Sequence, residues 1–203
     1  MTNAESIATR LSELPDFLAP LKVAASRYLH YPSMCATDGT VSIGHRPWVA
    51  ELNYMFVLFP GVNSVALERY SRRFGVEVPS AYADFLRAVG GAFCFGMSLY
   101  GIPPSMLGVL PLLDRSVLQC HDLATGVRYW AAGYQLPTEL FHFGGRHYSY
   151  RENIGYFIDQ HGGLLAATKQ GKVVGEWSNL TDLLMDELRV SEELEAKLHA
   201  PKS

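Results

Sequence analysis

The stretch whose reading decides the fold runs from Leu67 to Gly101: LERYSRRFGVEVPSAYADFLRAVGGAFCFGMSLYG. Leu67, Tyr70 and Phe74 recur at i, i+3 and i+7, which places them on one stripe of a helix, and Gly75 supplies the left-handed residue that ends it. Pro79 suits a first helical turn, where a missing N–H costs least, and Tyr82, Phe85, Leu86 and Val89 repeat the apolar stripe. The pair Gly90-Gly91 is expected to close this second helix. Phe93, Phe95, Met97 and Leu99 then alternate with smaller residues, the period of one strand with a face in a core. The passage therefore reads as helix, helix, strand.

Glu68, Phe74-Gly75, Val78-Pro79, Tyr82, Phe85-Leu86, Gly90-Gly91 and Leu99-Tyr100-Gly101 together resemble the opening motif of the SUKH superfamily. That group contains bacterial immunity proteins and a fungal regulator of cell-wall synthesis. Farther along, IGYFID (Ile154 to Asp159), the Gly162-Gly163 turn, Leu164 to Thr168, the Lys169 to Lys172 turn, Val173 to Trp177 and SNLTDLLMDEL from Ser178 are similar to the family's late hairpins and final helix. The resemblance covers about Val62 to Leu188 and leaves the N-terminal third unmatched. It implies a SUKH-like domain over residues 62–190, an N-terminal extension over 1–61 packed on it, and a charged C-terminal tail over 191–203.

Before that domain, Ile7, Leu11 and Leu14 share one helical face and Pro15 ends the run. Pro20 can open a second helix through Leu21, Ala24, Ala25 and Tyr28. His30 to Pro47 is expected to be loop-rich with one short strand, Val41 to Ile43. Leu52 to Phe59 is aromatic and β-branched and too short for a buried helix, so it reads as a strand. After the decisive stretch, Met106 to Leu113 could form a short, bulged or edge strand, and Asp114 could cap a helix through Val117, Leu118 and His121 and on to Trp130, although Gly126 and Val127 weaken its later part. Phe141 to Phe143 reads as a strand before a Gly144-Gly145 break. Three more strands follow at close spacing, which favours antiparallel neighbours because a parallel pair needs a long crossover. Ser178 is expected to cap a helix with Leu180, Leu183, Leu184 and Leu188 inward, and the segment from Ser191 reads as a solvated helix that frays. The expected fold is α+β: a mainly antiparallel sheet flanked by helices, SUKH-like, a single domain with an N-terminal extension.

Composition agrees with one packed core, since 48% of the 203 residues are hydrophobic and 18% charged. A net charge of −3 with scattered Lys and Arg speaks against a phosphate-neutralising surface, so direct nucleic-acid binding is not expected. The cysteines, Cys35, Cys94 and Cys120, are odd in number and far apart, which suits a reducing compartment rather than a disulfide framework. No apolar run reaches signal-peptide or membrane-span length (~18 residues), so a cytoplasmic protein without a membrane partner is expected.

The search for chemistry favours structural readings. GGAFCFG (Gly90 to Gly96) lacks the Lys and Ser/Thr of a phosphate loop and leaves a helix for a strand, the reverse of that motif. His142, His147 and His161 lack the i, i+4 spacing and accompanying acid of a zinc hydrolase and read as surface or turn histidines. Cys120 and His121 are adjacent, so their side chains diverge, and Cys94 reads as a buried thiol. Asp159 reads as the fastener of its turn, and Glu68 and Asp84 as solvated charges. No Gly-x-Ser-x-Gly elbow is present. Catalytic, cofactor and metal residues are accordingly assigned as none.

Aromatic residues outside the clear core stripes, Tyr129, Trp130, Tyr134, Tyr148 and Tyr150, are the candidates for partner contact, with core filling as the rival role for each. The resemblance implies a non-enzymatic immunity protein that neutralises a cognate toxin by direct contact. A regulatory or scaffold protein of the same fold is the second reading. A small metal-dependent or ligand-binding enzyme built on His142 and His147 is the third.

Overall fold

The computed structural model describes residues 3–107, 118–147 and 153–198. The chain opens with helix α1 (Asn3–Ser12), a 3₁₀ turn (Asp16–Leu18) and α2 (Ala19–Ser26). Strands β1 (Met34–Cys35), β2 (Val41–His45) and β3 (Tyr54–Pro60) follow, then the helix pair α3 (Ser64–Phe74) and α4 (Ser80–Ala88). Next come β4 (Val89–Cys94), β5 (Met97–Leu99), the single turn α5 (Leu123–Thr125), β6 (Phe141–His147), β7 (Asn153–Ile158), β8 (Leu164–Thr168), β9 (Val173–Trp177) and the long α6 (Leu180–Leu198). The strands form one sheet in sequence order, β1 to β9, with every neighbouring pair antiparallel. This is an α+β fold, a mainly antiparallel sheet flanked by helices. No described helix is long and apolar enough to cross a membrane.

The helix hairpin forms as its sequence requires. Asn63 caps α3 by accepting from the Ala66 N–H at 2.9 Å, and Gly75 ends it with a left-handed φ of 58°. The buried stripe of each helix joins the principal core: Leu67 and Tyr70 from α3, Tyr82, Phe85 and Leu86 from α4. Ile7 and Leu11 from α1, Leu21 and Ala24 from α2, and Leu183, Leu184 and Leu188 from α6 meet the same cluster. On the sheet, Phe56, Leu58, Ala92, Cys94, Leu99, Phe143 and Tyr156 complete it. Alternate strand residues Val57, Phe59, Phe157 and Ala167 point the other way, into two smaller clusters covered by residues 118–140 instead of by long helices. Among the described residues the sheet therefore has a helical face and a second face covered by residues 118–140.

Glycines and caps account for most departures from expectation. Gly90-Gly91 does not cap α4, which ends at Ala88; both glycines lie inside β4. A Cβ on Gly90 would sit 2.2 Å from the Pro60 carbonyl oxygen, and one on Gly101 would sit 1.8 Å from the Gly90 carbonyl oxygen. Close backbone packing, not helix termination, demands glycine there. The single strand expected over Phe93 to Leu99 is a hairpin, with Cys94 opposite Met97 and Phe95 turning at a φ of 54°. Reversal at Phe95-Gly96 sends Ala92, Cys94, Met97 and Leu99 to the helical core and Phe93 to the opposite face.

Gly144-Gly145 is not a break either, because both residues are paired on each side, to β5 and to β7. The segment Pro104–Leu107 is a 3₁₀ turn, and residues 108–113 of the expected strand lie outside the described residues. Asp114 also lies outside them; the capping role falls to Asp122, whose Oδ2 accepts from the Thr125 N–H at 2.9 Å, while residues 118–121 are not helical. Asn179, not Ser178, caps α6, accepting from the Asp182 N–H at 3.0 Å.

Residues 191–198 of the charged segment form the end of α6, with Glu193 and Lys197 exposed but the inward side anchored; residues 199–203, expected to fray, lie outside the described residues. Ser191 is buried, Glu192 accepts from Arg27 Nη1 at 2.9 Å and from the Tyr28 hydroxyl at 2.5 Å, and Glu195 pairs with the buried Arg46. Midway along the same helix, Glu187 accepts from Arg146 Nε at 2.8 Å and from the buried Tyr156 hydroxyl. Removing one partner of such a pair leaves the other charge buried and uncompensated. Glu187→Ala is therefore expected to lower unfolding free energy by about 3–5 kcal/mol in urea titration. Asp84→Ala, at an exposed pair with Arg87, should change it by less than about 1 kcal/mol. Equal effects from the two substitutions would show that Glu187 is not a structural clamp.

Candidate functional site

On the second sheet face a groove of about 240 Å³ is bounded by Leu52, Tyr54, Phe93, Ser98, Leu118 and His121. Its floor follows from the hairpin register, since pairing Phe93 with Ser98 puts both side chains on this face. His121 is held by its own backbone: its carbonyl oxygen accepts from the Gly101 N–H at 2.8 Å, one residue before Asp122 caps α5. The Ser98 hydroxyl and His121 Nδ1 lie 2.8 Å apart. Phe93 and Trp130 meet the imidazole edge-on, with centroids at 5.0 and 5.4 Å.

A hydroxyl bonded to an imidazole is the pairing from which a nucleophile can be activated. Ser98, however, lies within β5, paired on both sides to Phe93 and Gly145. Its backbone is committed to the ladder, whereas a nucleophile elbow stands on a sharp turn with an N–H group free for an oxyanion. What the groove offers is an apolar, aromatic lining around one polar pair. A larger hollow of about 570 Å³ borders the start of α3, lined by Pro60, Val62, Asn63, Arg69 and Ile102, but the Asn63 side chain there is used as the helix cap.

Of the aromatic candidates, Tyr129 is 71% exposed and Trp130 39% exposed, with the Trp130 ring resting edge-on against Tyr100 at 5.0 Å. Trp130 stands beside the groove through its contact with His121, and Tyr129 precedes it in the chain. Tyr134 is instead buried against Phe157 and Ala167, where burial pushes its hydroxyl pKa up to about 12, so it fills the second face and presents no contact surface. Tyr148 and Tyr150 lie outside the described residues.

His142, expected at the surface, is fully buried: its ring stacks on Phe157 at 4.6 Å and Nδ1 lies 3.2 Å from the Gly126 carbonyl oxygen. His147 ends β6 opposite Asn153, and His161 is exposed in the turn that Asp159 fastens by accepting from the His161 and Gly163 N–H groups at 2.8 Å each. Among the described residues no group of three or more His, Cys, Asp and Glu side chains comes together as a metal site would need. Glu68 and Asp84 are exposed on their helices, as expected.

Ser98 and Tyr54 escaped the sequence reading, which weighed His121 only beside Cys120 and not beside Ser98. An aromatic-glycine step inside an alternating run, Phe95-Gly96, is the local signal that could have revealed the hairpin and hence the face of Ser98. Nothing local marks His121, which reaches Ser98 across 23 positions. No protein-family model matches the chain, and no curated protein is significantly similar to it.

The cysteines are free, and burial pushes the Cys94 and Cys120 thiols well above the ordinary thiol range, whereas Cys35 is only half-buried. A raised thiol pKa keeps both groups protonated in the folded protein while the unfolded chain ionises near pH 8.5, so their burial contributes stability that declines above that pH. With a colorimetric thiol reagent at pH 8, the native protein should react at Cys35 and leave Cys94 and Cys120 untouched until guanidinium is added. Rapid modification of Cys94 or Cys120 in the native state would contradict this burial.

Proposed function

We propose that this chain is a protein-binding module of SUKH type that acts as an immunity protein, neutralising a cognate bacterial toxin by direct contact rather than by chemistry. The observation that supports the reading is the apolar groove on the second sheet face, with Trp130 touching His121 at its border and the exposed Tyr129 next to it in the chain. Interface cores are enriched in such aromatics, which add large contact area at low entropic cost. A continuous antiparallel sheet backed by helices supplies a rigid base, so little ordering cost accompanies binding. The role of immunity protein comes from the resemblance in the helix hairpin and the late strands. Modest net charge suits contact through shape and apolar area more than mimicry of a phosphate backbone.

The test is co-expression with the toxin encoded beside the gene, followed by affinity capture. The wild-type chain should restore growth and co-purify with the toxin. Tyr129→Ala should weaken the complex by about tenfold or more, the effect of losing roughly 1.4 kcal/mol at an interface. Absence of both protection and complex with the wild-type chain would sink the reading.

A further inference from the structure

The outward side of α3 carries Arg69, Arg72 and Arg73, all exposed, while Leu67 and Tyr70 of the same helix are buried. Elsewhere in the molecule arginines are matched: Arg27, Arg46, Arg87, Arg146 and Arg189 each pair with a carboxylate. Among the described residues no carboxylate pairs with Arg69, Arg72 or Arg73.

Two contacts set the shape of this surface. The Arg73 guanidinium lies over the Phe74 ring at 5.2 Å, and that ring is set against Tyr70 with centroids at 4.8 Å. Arg128, also exposed, comes from a distant part of the chain to the end of α3, where a Cβ on Gly75 would meet its Nη2 at 3.3 Å. Arg128 in turn precedes Tyr129 and Trp130, so the arginines run on toward the aromatic residues beside the groove. Cations in a last helical turn also complement the helix dipole, which accounts for Arg72 and Arg73 but not for Arg69 at mid-helix.

This excess of arginine stands out in a chain of net charge −3. Each guanidinium presents a planar fork that matches a carboxylate or a phosphate. A nucleic-acid backbone is an unbroken row of negative charge, and the exposed Glu68, Glu77 and Asp84 on the same helix pair would repel it. Carboxylates placed singly on a folded protein can meet the arginines and avoid those acids.

We propose that the outward face of α3, with Arg128 at its end, docks against a patch of Asp and Glu side chains on the partner protein. This rests on the protein-binding reading above. The experiment measures association and dissociation rates with the toxin encoded beside the gene, using the full chain, across a range of salt concentrations, with thermal melting of every variant. Wild-type association should slow about tenfold or more between low salt and 1 M, because screening removes steering between opposite charges. The double variant Arg69→Gln, Arg72→Gln should melt with the wild type, associate about tenfold more slowly at low salt and match it at 1 M. Arg189→Gln, at an exposed arginine already paired with Glu193, should associate as the wild type does.

A wild-type association rate indifferent to salt would overturn the acidic-partner assignment whatever the variants do. Equal rates for the wild type and the double variant, or equal slowing by Arg189→Gln, would overturn the α3 surface while leaving protein binding intact. Failure of the wild-type chain to bind the toxin would overturn the protein-binding reading and this surface with it. Short single-stranded and duplex DNA serve as the competing probes: retardation by the wild type, lost in the double variant, would assign the arginines to a phosphate backbone and overturn the carboxylate partner.

Discussion

Three backbone segments meet where no side chain can stand, and the rest of the molecule is arranged around that junction. The end of β3 at Pro60, the first half of β4 at Gly90 and the exit from β5 at Gly101 approach so closely that a Cβ on Gly90 or Gly101 would fall inside a carbonyl oxygen's contact distance. Hydrogen bonds use the proximity: the Ile102 N–H donates to the Gly90 carbonyl oxygen at 3.1 Å, and the Gly101 N–H to that of His121 at 2.8 Å. Because β4 begins directly at the end of α4, the junction also fixes the helix hairpin against the sheet. The Val62 N–H, donating to the Leu86 carbonyl oxygen at 2.8 Å, closes that connection.

A second constraint comes from carboxylates spaced along α6. Glu187 meets Arg146 and Tyr156 on the central strands, Glu192 meets Arg27 and Tyr28 beside α2, and Glu195 meets Arg46 at the base of the β2–β3 loop. One helix thereby ties the late strands to the N-terminal segment. The two largely buried pairs, Glu187 with Arg146 and Glu195 with Arg46, are weak contributors to net stability, because desolvation offsets much of their attraction, yet they penalise any arrangement that leaves one partner alone. Their physical effect is on register and placement: they determine where α6 sits and, through Arg46, how the loop beside the groove is held.

These two constraints divide the sheet's faces. Long helices and the largest apolar cluster occupy one side, so the exposed aromatic surface collects on the other, around Phe93, His121 and Trp130. The Ser98–His121 hydrogen bond gives that apolar groove one polar feature, set by strand pairing and the Gly101–Asp122 bridge. Ser98 itself lies within a strand paired on both sides.

Local pattern was enough for the helix hairpin, the late hairpins and the α+β class. Periodicity of 3.6 or 2, a left-handed glycine at Gly75 and the Asp159 turn act over a few residues and need no distant partner. It was not enough for Gly90-Gly91 or Gly144-Gly145, because glycine at a helix end and glycine in a crowded strand are the same letter, and only the neighbouring backbone distinguishes them. Phe93 changed faces for a similar reason: a two-residue reversal at Phe95-Gly96 inverts the side-chain order that alternation alone implies. The charge run after Ser191 read as solvated because Arg27 and Arg46 lie more than a hundred positions away. By itself, then, the amino-acid order determined which segments become helices and strands and which stripe of each is apolar, since those depend on short-range sterics and burial. Tertiary packing alone decided which glycines are junctions, which face stays open and which side chains meet in the groove, because such contacts join residues whose proximity no local interaction encodes.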